Sequence, residues 1–109
     1  NWLEVNLKIK FKDTVRRVVD PCLETFEIQE LIDWFKCIFN GKEPKYRMMG
    51  FTEPLIIFEL MNESAAEFRV IKLEVDNDYV LEMELDSSEL RSIIQGLQFE
   101  LSKFPKRPI

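Results

Sequence analysis

The chain contains no histidine and only two cysteines and three glycines among its 109 residues. Without histidine, the usual general base of serine and cysteine hydrolases is missing. Two cysteines also fall short of the four ligands that a structural zinc site requires. The longest apolar run, residues 55–58, is far shorter than the roughly 20 residues of a membrane span. We therefore expect a protein with no cofactor, no metal and no place in a membrane.

Motifs for phosphate binding and nucleophilic catalysis are equally scarce in the sequence. It has no Gly-rich phosphate loop and no nucleophile elbow, and its serines fall in predicted turns, caps and helix surfaces. Residues 76–78 (Asp-Asn-Asp) resemble the start of a calcium loop, but the downstream glycine and the twelfth-position glutamate are missing. A hairpin turn is the preferred interpretation, and we expect no enzymatic activity.

The length and the charge of the chain narrow the class of protein further. A mass of 13.0 kDa predicts one domain over residues 1–109. The formal net charge of −5 repels phosphate backbones and argues against nucleic acid as a ligand. That charge suits a basic protein partner, although it also serves simply to keep a small domain soluble. Asn1 in place of Met suggests a trimmed or processed start.

The cysteines and the N-terminal residues bear on the cellular compartment. Small secreted domains usually carry four or more cysteines, so Cys22 and Cys37 are expected to be reduced thiols, with a single bridge as the alternative. The N-terminus has neither a basic region nor an apolar stretch of the kind that export signals carry. Both features favour a cytoplasmic protein.

The N-terminal segment alternates apolar and polar residues, which predicts a half-buried strand over residues 2–12. A second strand is expected over residues 15–19, ended by Asp20-Pro21 because proline lacks a backbone donor. The apolar face of the first strand would hold Leu3, Val5, Leu7, Ile9 and Phe11.

Helical spacing of apolar residues predicts a first helix over residues 26–39, with Thr25 as N-cap and Asn40-Gly41 as a left-handed stop. Trp34 lies off the centre of its apolar stripe, so it is either a packing residue at the flank or a contact for a partner.

A cluster of strands and a closing helix follow. Strands are predicted over residues 46–51, 55–61, 67–75 and 79–85, with Asn77-Asp78 turning the last two into a hairpin. The last helix begins at the capping box of Asp86 and Glu89 and ends before Pro105. On that helix we expect Gly96 to pack closely against a strand and Glu100 to lie off the apolar stripe. The fold class is thus α+β, a mostly antiparallel sheet of about five or six strands with two helices on one face.

The predicted hairpin would concentrate acidic side chains on its outer face. These are Glu74, Asp76, Glu82 and Glu84, with Lys72 and Val80 among them. We interpret them, together with Trp34, as candidate partner-binding residues. The alternative is an ordinary solvated strand surface with cross-strand ion pairs.

Three segments of the chain are similar to a known family. Residues 50–60 (GFTEPLIIFEL) resemble the central F-x-E-P-x-hydrophobic-x-F stretch of the WapI-like immunity proteins. The helix with Glu-Leu-Ile-Asp-Trp-Phe at 30–35 and the closing residues 101–107 also resemble that family, in the same order.

The resemblance implies a small bacterial cytosolic protein that neutralises a cognate toxin by direct binding. It implies no catalytic residues, and no toxin-contacting residue transfers by position. The partner would be a protein such as a basic toxin domain, bound by a monomer or a weak homodimer. A self-associating or regulatory interaction domain that pairs through an exposed strand edge is the alternative.

Overall fold

The computed structural model describes residues 2–19, 23–52, 55–63 and 65–103. These residues form three helices and four strands. In chain order they are α1 (Trp2–Val19), α2 (Thr25–Phe39), β1 (Met48–Thr52), β2 (Leu55–Leu60), β3 (Arg69–Val75), β4 (Tyr79–Leu85) and α3 (Ser87–Ser102).

The four strands form one antiparallel sheet in the order β1-β2-β3-β4, so each strand pairs with its neighbour in sequence. The predicted hairpin between β3 and β4 is confirmed. Asp76 and Asn77 have φ angles of 53° and 62°, and the amide of Asp78 donates to the carbonyl of Val75 over 3.2 Å. Two left-handed central residues are what a type I′ turn requires, and Asp and Asn tolerate that conformation.

The core lies between the helices and one face of the sheet, here called the inner face. Alternate residues of β2, β3 and β4 are buried there together with the apolar stripes of α2 and α3. Phe35 of α2 meets Phe58 of β2 edge-on, with ring centroids 5.9 Å apart, while α1 and α3 contact β4. The predicted α+β class with an antiparallel sheet is therefore confirmed.

The number of elements differs from the prediction because residues 2–19 form a helix and not two strands. Alternation would have buried Ile9, yet its side chain is 61% exposed, whereas Phe11 and Val15 are buried. Leu3, Leu7, Phe11 and Val15 recur at every fourth position, which is helical spacing. The same apolar residues satisfied both periods, so the prediction of five or six strands and two helices was wrong.

The ends of α2 lie close to the predicted positions. The helix begins at Thr25 itself, one residue before the predicted start, and Glu24 is the N-cap, its amide donating to Glu27 Oε1 over 3.0 Å. At the other end, Gly41 takes a φ of 73° directly after the C-cap Asn40, so the predicted stop is confirmed. An αL position favours glycine because it has no Cβ.

The capping box that begins α3 is confirmed, but two predictions about its surface were wrong. The amide of Glu89 donates to Asp86 Oδ1 over 2.8 Å, and the amide of Asp86 donates to Glu89 Oε1 over 3.0 Å. Glu100, expected on the solvent side, is buried near Lys103 and Arg16, at 3.2 and 3.8 Å. A Cβ on Gly96 would meet nothing within 4 Å, so close packing against a strand does not explain this glycine.

The open surroundings of Gly96 lead to a stability prediction. Gly96→Ala should raise the free energy of unfolding by about 0.5–1 kcal/mol, because alanine loses less backbone entropy in a helix interior. Thermal and urea unfolding of the variant would measure the gain. Gly41→Ala is the matched control and should destabilise the protein, since φ there is positive. A loss of stability in the Gly96 variant would contradict the prediction.

Candidate partner-binding surface

The face of the sheet opposite the core, here called the outer face, is not covered by any described helix. Its residues alternate with the buried ones, and all of those whose burial is described are exposed or half-buried. By the strand register they are Met48, Gly50, Leu55, Ile57, Glu59, Val70, Lys72, Glu74, Val80, Glu82 and Glu84.

The structure brings three of the predicted acidic residues onto this outer face and places the fourth at its end. Glu82 and Glu84 project from β4 as exposed side chains, and Glu74 lies half-buried on β3. Asp76 is exposed in the turn between those strands. Lys72 pairs in register with Glu82. The predicted acidic set is thus contiguous along one hairpin.

Glu59 of β2 is a further acidic residue of the outer face that the sequence interpretation missed. It lies opposite Lys72 in the register, and Lys72 Nζ is 3.4 Å from Glu59 and 3.9 Å from Glu74. Pairs of this partial exposure contribute little to stability. The alternation of Leu55, Ile57 and Glu59 carried the signal. With Glu59 included, the face holds four glutamates and one lysine.

Trp34 does not belong to this surface. Its side chain is 5% exposed and its indole Nε1 donates to the carbonyl of Tyr46 over 2.8 Å. Its ring packs against Phe35 and Phe58, with centroids 5.1 and 6.3 Å away. The indole therefore holds α2 to the segment before β1. Of the two roles considered from the sequence, Trp34 has the packing role and not the partner-contact role.

Two polar side chains fix the end of the sheet where β1 begins and β2 ends. Arg47 donates to the carbonyls of Leu60 and Asn62 and pairs with Glu43. Asn62 Nδ2 donates to the carbonyl of Phe68 over 2.7 Å, while its Oδ1 accepts from the amide of Val70 over 2.9 Å. These contacts bind the loop between β2 and β3 to the sheet.

Four large apolar side chains are exposed at this same end of the sheet. We call them the Met–aromatic patch. They are Tyr46, Met48, Met61 and Phe68, with exposed fractions of 62, 52, 43 and 43%. The predicted strands include all four positions. The sequence does not show that these side chains are exposed at one end of the sheet, because that depends on which strands pair.

A groove of about 420 Å³ lies between α1 and α3. The residues that line it include Val15, Leu97 and Phe99 together with Arg16 and Glu100. Arg16 and Glu100 already pair with each other, Arg16 Nη2 lying 3.8 Å from Glu100.

Neither a metal site nor a membrane span occurs among the described residues. No three His, Cys, Asp or Glu side chains come together there as a metal ion would require. No helix of the described segments combines the length and the apolar character that crossing a bilayer demands. Cys37 is a free cysteine, half-buried near the carbonyls of Lys42 and Glu43. Its proposed alternative bridge partner, Cys22, lies outside the described residues, as do Glu53 and Pro54 of the family-like stretch.

Comparison with known proteins gives one match. The family described as "Immunity protein WapI-like family" matches over residues 1–105, which is nearly the whole chain. Searches of curated proteins and of solved structures return no match.

Proposed function

The chain belongs to the WapI-like immunity protein family, and on this premise we propose that it neutralises a cognate bacterial toxin by binding it directly. In this proposal the protein acts in the cytoplasm of the bacterium that makes the toxin. It catalyses no reaction, and its effect is to cover the toxin or hold it inactive.

The observation that best supports this function is the uncovered outer face. The hairpin places Glu74, Glu82 and Glu84 there, and Glu59 lies beside them, with Lys72 as the only cation among the described residues of the face. The whole chain carries a net charge of −5. An acidic face of this kind attracts a basic partner at long range and raises the rate of encounter. We propose Glu74, Asp76, Glu82 and Glu84 as contact residues for a basic toxin domain.

The test of this function uses the toxin domain encoded by the gene immediately upstream. Expression of that domain alone should arrest bacterial growth, and co-expression of the 109-residue chain should restore it. The two purified proteins should elute together from a size-exclusion column as a stoichiometric complex. Continued growth arrest and separate elution would contradict the proposal.

The alternative, self-association through a sheet edge, has a separate signature. β1 and β4 are the two edge strands of the sheet, and an unpaired edge can bind a second copy. Sedimentation of the protein alone over a wide concentration range distinguishes the two functions. A concentration-dependent dimer with no affinity for the toxin domain would favour the alternative.

The acidic face also leads to a kinetic prediction. The double variant Glu82→Lys, Glu84→Lys should associate with the toxin domain about tenfold more slowly at low salt, because electrostatic steering acts on the encounter. Dissociation should change far less. The salt dependence of association should become flatter, since exposed charges are screened over about 8–10 Å at physiological ionic strength. Stopped-flow mixing at several salt concentrations provides the measurement.

The matched control reverses two exposed acids of α2, Glu30→Lys and Asp33→Lys, which changes the net charge by the same amount at another place. If both double variants slow association equally, only the total charge matters and the outer face has no special role. A normal melting curve for both variants would show that folding is intact.

A further inference from the structure

We propose that the Met–aromatic patch is the energetic centre of the toxin interface and that the surrounding acids form its rim. The partner would then offer an apolar centre surrounded by lysine and arginine. This inference rests on the proposed function. In it, the acids raise the rate of association with the toxin, and the patch slows dissociation of the complex.

The patch has the composition and the exposure of a protein-binding surface. Neighbouring large apolar side chains are rarely left exposed on a monomeric protein, and where they are, they often mark a binding site. Tyrosine, methionine and phenylalanine are the types enriched in the buried centres of protein interfaces. All four members of the patch are of these types, and each is at least 43% exposed.

The position of the patch in the strand register places it on the outer face. Met48 pairs with Glu59. The backbone hydrogen bonds continue past the strand ends, because the amide of Leu60 donates to the carbonyl of Arg47 and the amide of Met61 donates to the carbonyl of Val70, both over 2.8 Å. Met48 is an outer-face residue of β1, and positions 46, 61 and 68, just beyond the ends of β1, β2 and β3, lie an even number of residues from outer-face positions of those strands. The patch therefore belongs to the outer face, at the end nearest Glu84, which pairs with Val70.

Hydrogen bonds hold the backbone beneath the patch in position. The carbonyl of Tyr46 accepts from buried Trp34, and the carbonyl of Phe68 accepts from Asn62. Arg47 bridges the carbonyls of Leu60 and Asn62. A surface that is ordered before binding loses less conformational entropy when a partner arrives.

Charge decides which occupant suits the patch. The exposed Glu63 and Glu67 lie in the loop between β2 and β3, on one side of the patch, and Glu59 and Glu84 lie on the other.

Three cations near the patch have partners within this chain. Lys45 stands over the Tyr46 ring at 5.5 Å, Arg47 pairs with Glu43, and Lys72 lies near Glu59. A second copy of this chain would bring acids against acids, whereas a basic protein would find complementary charge.

The test compares exposed aromatic side chains on different parts of the surface. Phe68→Ala and Tyr46→Ala should each weaken binding of the upstream-encoded toxin domain by about thirtyfold, the effect typical of an interface hot spot. The loss should come from faster dissociation, with association nearly unchanged. Both substitutions leave the hydrogen-bonded backbone carbonyls in place. The controls are Phe26→Ala and Phe99→Ala, whose side chains are 59 and 60% exposed on α2 and α3, and they should bind like the wild type.

The outcomes separate this inference from the proposed function. Failure of the wild-type protein to bind the toxin domain would overturn both. Wild-type binding with less than a twofold change in the Phe68 and Tyr46 variants, at unchanged melting temperature, would overturn only the role of the patch. A dimer of the free chain that Phe68→Ala abolishes would assign the patch to a second copy and also overturn the inference.

Discussion

Phe58→Ala should lower the free energy of unfolding by about 3–5 kcal/mol, the range measured when a buried phenylalanine is truncated. Phe58 is fully buried on a central strand of the sheet. Its ring meets Phe35 at 5.9 Å and Trp34 at 6.3 Å, so the substitution removes the contacts between α2 and the sheet as well as apolar burial. Since small domains are stable by only about 5–15 kcal/mol, a large fraction of the total would be lost. Urea unfolding followed by tryptophan fluorescence measures the effect.

The control for this prediction is Phe26→Ala, because Phe26 is 59% exposed on the first turn of α2. Its truncation should change stability by no more than about 0.5 kcal/mol. Equal losses in the two variants would mean that the aromatic cluster of α2 and β2 does not hold the layers together.

Leu97→Ala should cost about 2–5 kcal/mol, through loss of burial and the cavity that remains. Leu97 is 2% exposed in the middle of the apolar stripe of α3, the helix that contacts both other helices and β4.

Gln98→Ala is the matched control on the same helix, since Gln98 is exposed. Its effect should stay within about 0.5 kcal/mol. Thermal unfolding of both variants checks the assignment of helix faces, and similar melting temperatures for the two would contradict it.

The hairpin of β3 and β4 and the capping box of α3 were predictable because their signals are local. Apolar and charged residues alternate from Leu81 to Leu85, and the turn residues before Tyr79 mark the other end of β4, which spans Tyr79–Leu85 as predicted. The capping box of Asp86 and Glu89 fixes the start of α3 through hydrogen bonds within one turn. Such features depend on a few consecutive residues and need no knowledge of distant contacts.

The features that sequence reasoning missed depend on contacts between distant segments. Residues 2–12 fit two periods equally well, and packing of Phe11 and Val15 into the core selects the helix. Glu100 is off the apolar stripe by spacing, but α1 brings Arg16 over it. Sequence reasoning left the role of Trp34 open between packing and partner contact, and the carbonyl of Tyr46, twelve positions later, accepts its N–H in the packed position. Periodicity on one element cannot show what another element will place against it.

The candidate site divides in the same way. The acids at 74, 82 and 84 share one face of a hairpin whose turn is visible in the sequence, so their association was predictable. Tyr46, Met61 and Phe68 come from three separate segments and reach the same end of the sheet only when β1, β2 and β3 pair in register. No motif in the chain signals that arrangement.

The alternation of inner and outer residues along β2, β3 and β4 has an evolutionary consequence. Leu81 and Met83 of β4 fill the core, whereas Glu82 and Glu84, interleaved with them, are exposed on the outer face. Substitutions at the outward positions change the surface while the buried positions keep the fold, because exposed sites seldom alter stability by more than about 0.5 kcal/mol. The residues that determine binding specificity can therefore change one at a time within a strand during evolution, while the fold remains stable after each substitution.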